Sequence, residues 1–443
     1  MGGKAMIQAV IQAGGKGSRL SAITKNEIPK PMIDIWGKPL LKWQIETLKE
    51  NGIQDFIIIV GHLGNVIMNY FGNGNKMGVH IEYIIEQRPL GTAGGLFYLK
   101  KFLKNRNFIF VYGDLLFDID VNRMIEFHKK NKSVATLFVH PNSHPFDSDI
   151  VLLNENSKVV KFDFKNNMRN YWCDNKVNAG FFIFDVKICD LIKRPQNLAV
   201  ERDVISILVK CGENVFGYQS TEYIKDVGTV ERLTTVNKEF MTGLIKKRNL
   251  KNKQKCIFLD RDGTINRANG LIDTEDKLEL EKGAIEAIGI INKSEYLAIV
   301  VTNQPVIARG NCTVKEVVNI NNKMQTLLGK EGVYLDDIAF CPHHPDKGYL
   351  GENRMYKVNC NCRKPKIGML VEMVEKYNID LLQSWIIGDT TVDLQTGENA
   401  GLKKVLVLTG EAGEDGKYNI SADFVEKNLL QAVKKIIGNK KYE

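Results

Sequence analysis

Residues 7–20 read IQAVIQAGGKGSRL and residues 256–266 read CIFLDRDGTIN. Each stretch opens with a short, largely apolar run, Ile7–Ile11 and Cys256–Leu259, that breaks at once into glycines or paired carboxylates. A run of that length bounded by turn signals reads as a buried strand. Working outward from the first, similar runs recur at Phe56–Val60, Phe108–Val111, Ala135–Val139 and Phe181–Phe184, with helical-period segments such as Pro39–Asn51 and Thr92–Phe102 between them. Working outward from the second, the pattern restarts with Leu297–Val301, Ser384–Ile387 and Lys404–Leu408. Strand–helix alternation predicts α/β sheets with mainly parallel strands. Between the two series lies KKRNLKNKQK, Lys246–Lys255, basic and with Leu250 as its one apolar residue. The expected division is a domain at 1–243, a linker at 244–255 and a domain at 256–443.

Composition agrees with two ordinary globular domains. The chain has 443 residues, 44% hydrophobic and 26% charged. A net charge of +9 suits phosphorylated small molecules, nucleic acid or an anionic membrane, and surface lysine alone also accounts for it. No apolar stretch approaches about 18 residues, so no membrane span is expected. The opening residues lack a signal-peptide pattern. The expectation is a cytoplasmic enzyme with no nucleic-acid or membrane partner. Five of the eight Cys are scattered, which does not look like a disulfide framework.

In the loop after Ile7–Ile11, Gly14, Gly15 and Gly17 let backbone N–H groups approach a polyphosphate, and Lys16 and Arg19 add positive charge. Further on, Pro29 and Pro31 stiffen the backbone around Lys30. Nucleotidyl transfer must neutralise charge on the α-phosphate and the departing pyrophosphate, and cations on rigid loops suit that task. The loop is neither the Walker pattern nor the dinucleotide GxGxxG pattern. With the proline–lysine–proline element it resembles the sugar-phosphate nucleotidyltransferase family, a resemblance extending over about the first 240 residues. Gln12 and Ser18 depart from the family's usual Leu and Thr. The resemblance implies a glycosyltransferase-A-like (Rossmann-like) domain. It implies nucleotide and sugar contacts from Gly91 and Thr92 in Leu90–Gly94 and from Asn178 and Gly180, and a Mg²⁺ held by Asp114 and Asp226. Glu201 and Lys161 fall where the family has polar sugar-side residues. The sugar phosphate would attack the α-phosphate in line, so no protein nucleophile is needed.

In the second series, Asp260 and Asp262 stand two residues apart at a strand end, where one carboxylate can attack phosphorus while the other moves the proton. Such an attack calls for a cation, so Mg²⁺ is expected. Thr302 and Asn303 offer a hydroxyl and an amide to phosphate oxygens, and Arg363 and Lys364 offer cations. The run Gly388–Asp393 brings carboxylates for the metal. Together these resemble the haloacid-dehalogenase (HAD) superfamily, with its Rossmannoid fold, and within it the histidinol-phosphate and heptose-bisphosphate phosphatases. The resemblance implies Asp260 as nucleophile, Asp262 as general acid/base, and Asp260, Asp262 and Asp389 at the Mg²⁺. Pro305-Val306, Thr390 and Ile367 depart from that branch.

Cys341, His343, Cys360 and Cys362 offer three thiols and an imidazole, the donor set of a closed tetrahedral Zn²⁺ site. The phosphatase branch has such a loop. Zinc is expected to be structural, with His344 a packing residue.

The whole-chain expectation is a bifunctional enzyme of GDP-heptose biosynthesis. The second domain would take the 7-phosphate from D-glycero-D-manno-heptose 1,7-bisphosphate. The first would then join GTP, or another nucleoside triphosphate, to heptose 1-phosphate. The guanylyl choice and the product GDP-D-glycero-α-D-manno-heptose follow from the family resemblance. The alternatives are a mannose or other hexose 1-phosphate substrate, a histidinol-phosphate phosphatase, or a non-catalytic regulatory homologue. A homo-oligomer is compatible with all of them.

Overall fold

The structure, a computed structural model, describes residues 7–15, 20–25 and 27–438. Its contacts divide the chain into two units. One comprises the chain up to His140, Val151–Asp163 and Asn178–Asn249. The other comprises Pro141–Ile150, Phe164–Val177 and the chain from Leu250 on.

In the first unit, Gln8–Gln12 lies mid-sheet between Asn107–Tyr112 and Asp55–Val60, parallel to both, and His80–Ile85 extends the sheet beyond Asp55–Val60. Val177–Asp185 runs antiparallel to Asn107–Tyr112 and turns the sheet mixed. Near-continuous apolar strands are what a sheet covered on both faces needs, and Ala9, Ile11, Phe56, Ile58, Ile109 and Val111 sit in one core. The segment Thr92–Phe102 forms a helix only at Leu96–Leu99. Its start is instead tied to a distant loop, with Ala93 N–H donating to Leu198 O (2.8 Å) and Leu198 N–H to Leu90 O (3.0 Å).

In the second unit the strand order is Asp337–Cys341, Tyr296–Asn303, Lys255–Leu259, Trp385–Gly388, Lys403–Val407, Phe424–Glu426, all parallel. The chain starts in the middle and builds outward to both sides. The crevice at such a switch point, beyond the strands' carboxyl ends, is where ligands bind in open α/β sheets.

Two pieces of the first expected domain group with the second unit, and a helix explains why. Thr326 Oγ1, on the helix Val314–Lys330, accepts from Cys173 N–H (2.9 Å), and Gln325 Nε2 donates to Asp174 Oδ1 (3.1 Å). Gly329 gives Pro145 room, since a Cβ there would fall 2.7 Å from the proline ring. The stretch expected as a linker is packed. Leu244, Ile245 and Leu250 are buried, and Gln254 exchanges backbone hydrogen bonds with Asn378 and Asp380.

Two candidate active sites and a candidate metal centre

A cavity of about 870 Å³ opens over the carboxyl ends of the first unit's central strands. Gly14, Gly15, Lys30, Glu86, Gly91, Thr92, Tyr112 and Asp114 line it. Asp114 follows Asn107–Tyr112, and Asp226 ends Tyr223–Asp226, which pairs antiparallel with Leu115–Asp118. That ribbon sets the two carboxylates side by side, and Val227 N–H donates to Asp114 O (2.9 Å). Lys30, buried on the turn Lys30–Met32, donates to Asp114 Oδ2 and stands 3.8 Å from Asp226 Oδ1. Arg232 pairs with Asp226 Oδ2, while Asp226 Oδ1 is buried without a hydrogen-bond partner. An orphaned carboxylate oxygen beside a second carboxylate fits a divalent cation.

Asn178 Nδ2 and Tyr112 Oη both donate to Glu201 Oε1, at 2.9 and 2.7 Å, so the structure brings Asn178 and Glu201 together. Gly180 follows on the same strand. Thr92 Oγ1 accepts from Val200 N–H (2.9 Å) and so carries structure as well as lining the cavity. Lys161 is exposed on Val159–Asp163. Gly17 and Arg19 lie outside the described residues.

In the second unit Asp260 leaves the central strand, its N–H donating to Ile387 O (2.9 Å). Lys364 Nζ donates to Asp260 Oδ1 (2.8 Å) and also to Asp393 Oδ1. Asp260, Asp389 and Asp393 form a group whose oxygens lie within 4.8 Å of one another. Asp389 Oδ1 is buried and unpartnered, again the mark of a cation position. Gly263, at φ +81°, leaves room for Asp389, whose Oδ2 would sit 2.2 Å from a Cβ there. Burial, with Asp260 and Asp393 close by, pushes the Asp389 carboxyl up to about 8. Burial likewise pushes Asp260 up to about 6, Lys364 opposing while Asp393 and Asp262 add to it. The two nearby carboxylates overcome the cost of burying Lys364 and hold its ammonium above the usual range.

Two of the expected site side chains are already engaged by neighbouring groups. The Asp262 carboxylate is not in the three-aspartate group. Its oxygens accept from Arg261, Asn266 and Gln304 at 2.9–3.0 Å, and these partners outweigh burial to hold it below the usual carboxylate range. Asp393 is the third member of that group. The Asn303 amide is engaged by the backbone of Lys364. Its Oδ1 accepts from Lys364 N–H (2.9 Å) and its Nδ2 donates to Lys364 O (3.1 Å), so it positions the lysine. Thr302 Oγ1 is buried and accepts from Gln304 Nε2 (3.0 Å). Glu86 and Arg232 escaped the sequence reading. Nothing local in the sequence marks either one.

The sulfurs of Cys341, Cys360 and Cys362 stand 3.2–3.5 Å apart, with His343 Nδ1 3.3 Å from Cys362 Sγ. Three thiols and an imidazole converging within 4.8 Å fit a tetrahedral metal. Arg363 N–H donates to Cys360 Sγ (3.3 Å), and its guanidinium donates to His343 O (3.1 Å). The cluster therefore braces the loop that carries Lys364. His344 Nδ1 accepts from Asp346 N–H (3.2 Å) and packs edge-on to Tyr349.

A Gly-lined cavity with a lysine between two aspartates, and a buried aspartate–lysine pair at a sheet switch point, define two phosphate-handling enzymes in one chain. Residues 8–243 match the nucleotidyl transferase family, and residues 361–432 match the HAD-hydrolase-like family. The chain is 39% identical over 189 residues to the D-glycero-beta-D-manno-heptose-1,7-bisphosphate 7-phosphatase of Pasteurella multocida, covering 42% of this chain and 99% of that protein. It is 30% identical over 239 residues to the mannose-1-phosphate guanylyltransferase of Mycobacterium tuberculosis, covering 54% of this chain and 66% of that protein, just under two thirds of its length. A solved structure of HddC from Yersinia pseudotuberculosis complexed with GMP-PN is 26% identical and covers 53% of this chain and 100% of that one, with a TM-score of 0.46. The chain belongs to the nucleotidyl transferase family, and its second part belongs with the HAD-like phosphatases. It carries a nucleotidyltransferase, which takes a nucleoside triphosphate and a sugar phosphate, and a phosphatase. Among the described residues no helix is long and apolar enough to cross a membrane.

Proposed function

We propose that the chain makes a GDP-heptose in two steps. The second unit hydrolyses the 7-phosphate of D-glycero-D-manno-heptose 1,7-bisphosphate, and the first transfers GMP from GTP to the resulting heptose 1-phosphate, releasing pyrophosphate. The observation that carries this is the pairing within one chain. A phosphatase whose relatives are named for a heptose bisphosphate leaves an anomeric phosphate, the group a sugar-phosphate nucleotidyltransferase needs.

In the phosphatase, an Asp260 oxygen attacks phosphorus while the bond to the sugar oxygen breaks, and Lys364 offsets the charge on the incoming phosphoryl group. Asp262 gives the sugar oxygen a proton. It then takes one from the water that splits the aspartyl-phosphate. Resting in its ionised form, Asp262 is set for the second of these acts and must gain a proton for the first. Asp260, Asp389 and Asp393 would hold a Mg²⁺, whose charge lowers the repulsion between carboxylate and phosphate.

In the nucleotidyltransferase, Lys30 supplies charge at the α-phosphate, and Asp114 and Asp226 would hold Mg²⁺ against the triphosphate. Asn178 and Glu201 orient the sugar. Cys341, His343, Cys360 and Cys362 would hold a structural Zn²⁺.

The test is a matrix of nucleoside triphosphates against sugar 1-phosphates and 1,7-bisphosphates of both anomers, since the curated phosphatase relatives are named for the β form. Pyrophosphate release with GTP and heptose 1-phosphate, outrunning mannose 1-phosphate, is the expected outcome. Faster turnover with mannose 1-phosphate would overturn the heptose assignment.

A further inference from the structure

The loop at residues 409–415, after the strand Lys403–Val407, has no part in the chemistry above, yet it wraps the Asp389 carboxylate. Glu411 N–H donates to Asp389 Oδ2 (2.8 Å), and Gly413 N–H donates to the Asp389 backbone oxygen (2.7 Å). Thr409 Oγ1 donates to Gly263 O (2.5 Å), on the turn that follows Asp260 and Asp262. Gly410, at φ +58°, lets the chain pass this close, since a Cβ there would stand 2.0 Å from Asp389 Oδ2. The wrap divides the carboxylate. Oδ2 takes the Glu411 N–H, and Oδ1 stays buried without a partner, open to a cation.

The loop works through its backbone, for the side chains of Glu411 and Glu414 are exposed. It also carries strain. Ala412 sits at φ +51°, in the left-handed region that costs a residue with a Cβ free energy and persists only where its surroundings fix it. Asp415 supplies that fixing at the loop's end. Its Oδ1 accepts from Thr391 N–H (2.7 Å), and its Oδ2 accepts from Thr391 Oγ1 (2.8 Å). Tyr418 N–H donates to the same hydroxyl (3.1 Å). Thr391 opens the helix Thr391–Ala400 and stands between Asp389 and Asp393 in the chain. Asp415 therefore ties the loop to the short stretch that carries both carboxylates.

We infer that Asp415 is a positioning residue for the phosphatase's cation: by holding residues 409–415 on Thr391, it keeps the Glu411 N–H on one Asp389 oxygen and the other oxygen turned to Mg²⁺. Groups that orient a metal's ligands set its affinity without touching it. A carboxylate acting only as negative charge at a helix start would stabilise the fold and leave Mg²⁺ affinity alone. The two roles are therefore separable by experiment. The inference rests on the reading of Asp260, Asp389 and Asp393 as the Mg²⁺ position and deepens it.

The test titrates Mg²⁺ alone against the melting temperature of the second unit, in the full chain on an Asp114→Ala background that silences the first unit's cation position. The Mg²⁺ concentration for half-maximal bisphosphate hydrolysis is read beside it. Asp415→Ala should raise both Mg²⁺ midpoints by about 10-fold or more, the usual effect of removing such a partner, while turnover at saturating Mg²⁺ changes less. Asp415→Asn keeps an acceptor for Thr391 N–H and a donor for its hydroxyl, so its midpoints should return toward the unmodified values although the charge is gone. Thr391→Val removes one of the two anchoring bonds and should move the midpoints the same way by less, which keeps the test open if Asp415→Ala fails to fold. Variants that melt lower but keep the unmodified Mg²⁺ midpoints overturn the role of Asp415 and leave the Mg²⁺ reading standing. Midpoints in Asp415→Asn as high as in Asp415→Ala overturn it too, since charge and not the clasp would then be at work. A chain whose second unit does not respond to Mg²⁺ at all overturns the Mg²⁺ reading, and the role of Asp415 with it.

Discussion

Lys364 Nζ lies 2.8 Å from Asp260 Oδ1, joining two buried side chains 104 residues apart in the chain. The same ammonium reaches Asp393, so one lysine balances two of the three carboxylates at the proposed cation position. Lys364→Met should leave both unpaired. The expected loss is about 3–5 kcal/mol of stability in the second unit, from the cost of stranding buried charges, read by urea unfolding. Phosphatase turnover should fall with it, and added Mg²⁺ should restore part of the stability but little of the turnover.

The raised carboxyls set a pH dependence. Asp260 is pushed up to about 6 and Asp389 to about 8, above the ordinary value near 4. For a carboxyl raised on folding, the native state binds the extra proton, so stability falls as pH rises from about 4 to about 8. Without metal, the second unit's Tm should drop across that window. Mg²⁺ competes with those protons, so its stabilising effect should be larger at about pH 8 than at about pH 5. A Mg²⁺ effect independent of pH would contradict this account.

The two chemistries should separate by mutation. Asp114→Ala should abolish pyrophosphate release, by at least about 10³-fold, while bisphosphate hydrolysis continues, and Asp260→Asn should do the reverse. Loss of both activities in either variant would show that the sites depend on each other.

The sulfur cluster should be structural. Cys360→Ser should lower zinc content and the second unit's melting temperature. It should also weaken phosphatase turnover indirectly, because Arg363 N–H donates to that sulfur one residue before Lys364. Chelation that strips zinc yet leaves both melting and turnover unchanged would sink the idea.

The helix Val314–Lys330 should hold the segment around Cys173. Thr326→Val removes the acceptor of Cys173 N–H and should cost about 1–2 kcal/mol, with faster amide exchange at residues 164–177. Unaltered exchange there would mean that the packing of Pro145 on Gly329 suffices.

Much of this protein is local in its sequence. Apolar runs ending in glycine or aspartate marked the central strands at Ile7–Ile11 and Cys256–Leu259, because a strand covered on both faces must be apolar throughout and its chemistry must begin where it ends. The close spacing within Cys341–His343 and Cys360–Cys362 marked the sulfur cluster for a similar reason. Only the tertiary structure decided which distant groups meet. It set Asp393 beside Asp260, turned Asn303 onto the Lys364 backbone, brought Glu86 against Gly14 and carried residues 164–177 to the second unit. The meetings at Asp260 follow from strand order, with Lys255–Leu259 placed between Tyr296–Asn303 and Trp385–Gly388. Strand order is settled by how whole faces pack, which no short stretch of residues records.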